Sequence, residues 1–184
     1  IVGLAGCKSR NLTSTSSNKF IIEDLARINS AEKLAQVYPN ANIEEGISMF
    51  EEATVERAFT KLFPGTNDEV LITWETPERT KIHSIHIEKN GKWKSETGIQ
   101  IGTTYDELVR INKNPISFFG FGWDYSGAVV YEGGKLDDTN IRVFVAPQTE
   151  IPNKFYGDQK IEATQEEIDE LDLRVSSILY QEIE

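Results

Sequence analysis

The sequence predicts an α+β fold, an antiparallel β-sheet with helices packed on one face, and three observations point to it. Short apolar runs alternate with polar residues through most of the chain and are divided by Gly, Pro, Asn and Asp. Ser30, Thr104 and Thr164 each stand where a helix N-cap belongs. The connections between strand-like runs are short, as antiparallel neighbours require.

Composition narrows the function. The 184 residues are 39% hydrophobic and 10% aromatic, enough for a real core. The net charge of −11, with no compensating Lys/Arg cluster, argues against nucleic acid, whose phosphates need a basic surface. No apolar run approaches the roughly 20 residues that span a bilayer. The single cysteine, Cys7, forms neither an internal disulfide nor a cysteine-rich zinc site.

Taken in order, 21–39 reads as helical: Ser30 caps it, Leu34, Val37 and Tyr38 share a face, and Pro39 stops it. Segments 43–50 and 55–63 are strands, 64–68 is a turn, and 69–74 and 81–88 are strands. Asn90-Gly91 is the strongest hairpin signal and predicts a further strand from Trp93. Thr104 with Glu107 has capping-box form, with Leu108 and Ile111 facing inward and Pro115 beyond the end. Strands are expected over 116–125, 128–131 and 141–145. Thr164 with Glu167 opens another helical turn, and 174–183 reads as a strand rather than a helical tail. A shift of 74 positions brings Ser30 onto Thr104, Glu32 onto Asp106, Leu34 onto Leu108 and Val37 onto Ile111, which suggests two tandem helix-plus-sheet repeats, about 20–95 and 96–184.

Leu4-Ala5-Gly6-Cys7 resembles the lipobox of bacterial lipoproteins. The resemblance implies a signal-peptide remnant at 1–7 and a Cys7 thiol joined to diacylglycerol. It also implies cleavage just before Cys7 and acylation of the new amino group, since stable anchoring takes more than one chain. Residues 8–19, polar and rich in Ser, Thr and Asn, suit a flexible linker to the domain at 20–184. Lys rather than Asp at position 8 implies, by the proteobacterial sorting rule, the outer membrane facing the periplasm. Ile99-Gln100-Ile101-Gly102-Thr103-Thr104-Tyr105-Asp106-Glu107-Leu108, continuing to Pro115, resembles small α/β lipoproteins of the SmpA/OmlA type and the tandem units of β-lactamase-inhibitor protein. This chain is twice as long as the single-unit family and carries Asn112 where Leu-Gly usually precedes the Pro. The run Gly-Phe-Gly-Trp-Asp-Tyr-Ser-Gly at 120–127 resembles uncharacterised lipoproteins of Bacteroidetes type.

That run is the candidate site. On a strand, Phe119, Phe121, Trp123 and Tyr125 point one way and Gly120, Gly122, Asp124 and Ser126 the other. The stripe reads either as a partner-binding surface or as core, with the glycines admitting a close helix. Asp124 among aromatics is the one candidate acid, without a base or nucleophile beside it in sequence. His83 and His86, three apart on a strand, fall on opposite faces, which argues against a shared metal. Asp137, Asp138 and the acidic run 166–172 lack an EF-hand pattern and read as a solvated face with Ile168 and Leu171 turned in. The expectation is a non-catalytic lipoprotein with no cofactor and no metal. It would bind the membrane through its lipid and another envelope protein through the stripe. The alternatives are a small-ligand or ion-binding lipoprotein and a hydrolase using Asp124. Cys7→Ser in the full precursor is expected to move the protein from the membrane to the soluble fraction, and unchanged fractionation would refute the lipobox.

Overall fold

The computed structural model describes residues 20–182; the lipobox with Cys7 and the linker at 8–19 lie outside the described residues. The fold is α+β with mostly antiparallel strand. The chain runs α1 (Ile22–Ala26), α2 (Ala31–Val37), β1 (Glu44–Phe50), β2 (Val55–Leu62), β3 (Val70–Trp74), β4 (Ile82–Ile87) and α3 (Tyr105–Asn112). It continues through β5 (Ser117–Phe119), β6 (Val129–Val130), β7 (Ile141–Ala146), β8 (Lys160–Ile161), α4 (Gln165–Leu171) and β9 (Arg174–Gln181). Six strands form one sheet in the order β1-β2-β3-β4-β9-β7, and β6-β5-β8 form a second. No helix among the described residues is long and apolar enough to cross a membrane.

Alternation divides the large sheet into two faces. Ala58, Leu62, Val70, Ile72, Ile85, Ile87, Val143 and Ile178 are buried and join a core that includes Ile22 and Leu25 of α1 and Leu34 of α2. On the other face Leu71, His86, Phe144 and Leu179 are only half-buried. Strand β9 sits between the two halves of the chain: Ile178 pairs with Ile87 on β4 and with Val143 on β7. Both capping boxes form as read. Thr104 Oγ1 accepts from Glu107 N–H and Thr164 Oγ1 from Glu167 N–H, with each Glu side chain returning to its cap residue. Ile168 and Leu171 of α4 are buried.

Three local expectations are corrected. The helix over 21–39 is two helices, because Ser30 takes an extended conformation (φ −163°, ψ 149°) as it caps α2, so α1 has to end first. Val37 does not share the inward face: it is 37% exposed. After Asn90-Gly91 no hairpin strand forms. Trp93 is buried against Phe20 and Tyr38, its Nε1–H donates to Asp68 O, and Lys94 makes an isolated parallel bridge with Ile21. Gly91 serves close approach instead, since a Cβ there would stand 2.1 Å from Asn67 O. Burying the indole outweighed the local turn preference.

The side chain of Ile178 fills the junction of three strands. Ile178→Ala is expected to lower stability by about 3 kcal/mol in urea unfolding, the cost of a buried aliphatic truncation, and a loss within about 0.5 kcal/mol would refute the keystone role of β9.

Candidate functional site

The aromatic segment is positioned from α3. Lys113 ends that helix in the left-handed region (φ 59°), and Asn112, fully buried, fastens its last turn. Asn112 Nδ2 donates to Asn114 O and Tyr131 O, and its Oδ1 accepts from Leu136 N–H. Tyr105 Oη donates to Ile116 O at 2.6 Å, and the Tyr105 ring meets the buried Phe118 edge-on.

The predicted strand over 116–125 stops at Phe119. Gly120 is crossed by the backbone of 155–157: a Cβ there would lie 2.5 Å from Gly157 O. Phe121 N–H donates to Phe155 O and Gly157 N–H to Phe121 O, which turns the Phe121 ring into the core against Phe118. Gly122 (φ +83°) then reverses the chain. Gly127 (φ +72°) closes the loop onto β7 so tightly that a Cβ would fall 1.9 Å from Val145 O. Gly127 N–H donates to Phe119 O and Val145 N–H to Gly127 O. The glycines therefore admit neighbouring strands and turns rather than a helix.

The stripe is consequently split. Phe121 belongs to the core, whereas Phe119, Trp123 and Tyr125 form a surface run of edge-to-face rings, with centroids 5.9 and 5.3 Å apart. Trp123 is half-buried with Nε1–H donating to Gly120 O, Tyr125 is 59% exposed, and Tyr156, packed over Gly122, is also exposed. Asp124 is exposed at the loop, not buried among aromatics, and lines a groove of about 280 Å³ with His86, Phe144 and Leu179. Tyr156 had no signal in the sequence beyond being an aromatic in an irregular stretch.

The histidines contradict their expected separation. A register shift between Thr73 and Trp74 breaks the alternation on β4, so that His83 and His86 both line a cavity of about 220 Å³ with Glu51, Arg57, Thr73 and Ser84. Thr73 Oγ1 and Ser84 Oγ share a hydrogen bond of 2.6 Å, Ser84 Oγ and His86 Nε2 one of 2.7 Å, and Glu51 Oε1 lies 3.5 Å from His83 Nε2. Burial pushes both imidazoles below their ordinary value, aided by Arg57 at His83 and by His83 at His86. Both are neutral near pH 7. No three His, Cys, Asp or Glu side chains are gathered to hold a metal ion among the described residues. A third, polar cleft of about 910 Å³ lies between β9 and the start of α3, lined by Lys94, Gln100, Glu107, Arg110 and Arg174.

No family model matches the chain, and no curated protein does. Among solved structures the fold is similar to that of the uncharacterized protein yfeY from Escherichia coli. The TM-score is 0.52 at 18% identity, over 85% of this chain and 92% of that one, a likeness of fold alone.

The imidazoles add a pH dependence to stability. The unfolded chain takes up their protons near the ordinary imidazole value of 6.5, while the folded state resists until lower pH, so stability is full above that value and lost as the pH falls below it. The thermal midpoint is expected to drop between about pH 7.5 and about pH 5.5, and less steeply in a His83→Gln/His86→Gln variant; parallel profiles would refute the assignment.

Proposed function

We propose that the chain is a lipid-anchored, non-catalytic lipoprotein of a bacterial envelope, held at the outer membrane facing the periplasm, and that it works by binding another envelope protein. The observation that carries this reading is the surface run Phe119–Trp123–Tyr125, on a loop fastened to β7 and to 155–157. Exposed Trp and Tyr supply large contact area and dominate interface energetics. A loop already held by hydrogen bonds gives up little further freedom on association. Cys7 supplies the tether, and a net charge of −11 keeps a tethered domain off an anionic lipid surface.

The same reading takes the architecture as helices against one face of the six-stranded sheet. It takes the chain as two tandem units, about 20–95 and 96–184, opened by the corresponding caps Ser30 and Thr104. A second reading, binding of a small polar ligand, draws on the cleft beside α3, lined by Lys94, Arg110 and Arg174 together with Glu88 and Glu107.

The test compares recovery of envelope proteins by the wild-type chain with recovery by Tyr125→Ser and Trp123→Ala. Tyr125 is exposed and its variant leaves the core untouched, so it separates binding from folding. A specific partner is expected to fall at least about tenfold in both variants. Equal recovery would remove the aromatic loop from the reading.

A further inference from the structure

The two edges of the six-stranded sheet are treated differently. At β7 the edge is occupied: Val145 N–H donates to Gly127 O, and Ala128 bridges Phe144. At β1 the edge is open. Among the described residues β1 pairs with β2 alone, in an unbroken seven-residue register from Glu44 opposite Lys61 to Phe50 opposite Val55. Alternate residues of an edge strand turn their N–H and C=O groups away from the sheet, and such a row is a template for another strand.

Several of the usual protections are missing here. Residues 44–54 contain no Pro, Lys or Arg, and the register has no bulge, in contrast to β3–β4 and β7–β9. Arg79 covers one carbonyl, donating from Nη2 to Gly46 O. Ile47 and Met49, on one face of the strand, are 57% and 48% exposed.

Charge selects the occupant. The strand and its turn carry Glu44, Glu45, Glu51 and Glu52; Arg57 is paired with Glu51 Oε1 at 2.8 Å and Arg79 Nε stands 4.0 Å from Glu45 Oε1, so Glu44 and Glu52 are the acids outside these two pairs. A second copy pairing antiparallel would bring Glu44 and Glu45 of one chain beside Glu51 and Glu52 of the other, and like charges across a strand pair destabilise it. The geometry points to β1 as an acceptor for an extended partner segment in which basic and apolar residues alternate, its apolar side chains beside Ile47 and Met49 on one face and its cations on the other face, beside Glu44 and toward Glu52 of the turn. Main-chain hydrogen bonds would supply affinity and the alternation the selectivity. This surface lies at the opposite edge of the sheet from the aromatic loop and is independent of it.

Hydrogen–deuterium exchange of the chain with the peptide acetyl-Lys-Val-Lys-Val-Lys-Val-Lys-amide tests the inference. The amides of 44–50 are expected to slow in a saturable way. The same peptide with Glu for Lys, and one of the same composition with its valines in a block, should leave them unchanged. Ile47→Lys and Met49→Lys, both at exposed sites, should weaken the effect about tenfold while β4 and β9 exchange as before. Equal slowing by either control peptide, or no slowing at all, overturns the proposal. So does slowing that survives both variants, or slowing that rises with protein concentration alone, which would make a second copy the occupant.

Discussion

The insertion of β9 between β4 and β7 is the constraint on which the rest of the structure depends. The strand that joins the halves of the sheet is the last of the described elements, so β4 and β7 are joined only through a strand that follows both in sequence. Its beginning also fixes α3: Gly102 N–H donates to Val175 O, Val175 N–H to Thr103 O, and Tyr105 N–H to Leu173 O. The capping box at Thr104 thus does more than start a helix; it sets where that helix begins against the sheet. Through Tyr105, α3 then positions Phe118 and the aromatic loop. The far end of the loop is fixed by Gly127 to β7, which β9 itself holds. These two attachments of the surface aromatics trace back to one strand, and the backbone of 155–157 supplies a third at Phe121.

Glycine and asparagine make the second layer of constraint. Gly120 and Gly127 lie where another backbone passes within a Cβ's reach, and Gly134 lies against the Asn112 amide in the same way. Asn112 closes the last turn of α3 and is fully buried. Its buried amide donates to one carbonyl of the 131–136 turn, Tyr131 O, and accepts from one N–H there, Leu136.

The charge of −11 is distributed to consequence. Most lysines and arginines of the described residues are paired with carboxylates at the surface, each such pair contributing little by itself. In the first hairpin Glu51 is paired with Arg57 and Glu45 with Arg79, while Glu44 and Glu52 add negative charge beside an open strand. At the opposite edge the closing contact is made by backbone groups of an aromatic loop. One sheet thereby presents two chemically distinct borders.

By itself the sequence determined the α+β class, the placement of all four strands of the first half within a residue or so, both capping boxes, and the terminal strand. Each of these follows from local rules: period-two alternation, a hydroxyl three residues before a carboxylate, β-branched and apolar runs between turn residues. Only the tertiary structure decided the break between α1 and α2, the burial of Trp93 in place of a hairpin, and the fate of the aromatic segment. That segment has perfect strand alternation, yet the backbone of 155–157 crosses it at Gly120, more than thirty residues away in sequence, and rotates Phe121 inward while leaving Trp123 and Tyr125 outside. The two histidines meet in one cavity for the same kind of reason, since the register shift that joins them belongs to a pairing between strands and not to either strand alone. Local periodicity specifies which way a side chain points along an ideal element; where an element stops or slips is set by what packs against it.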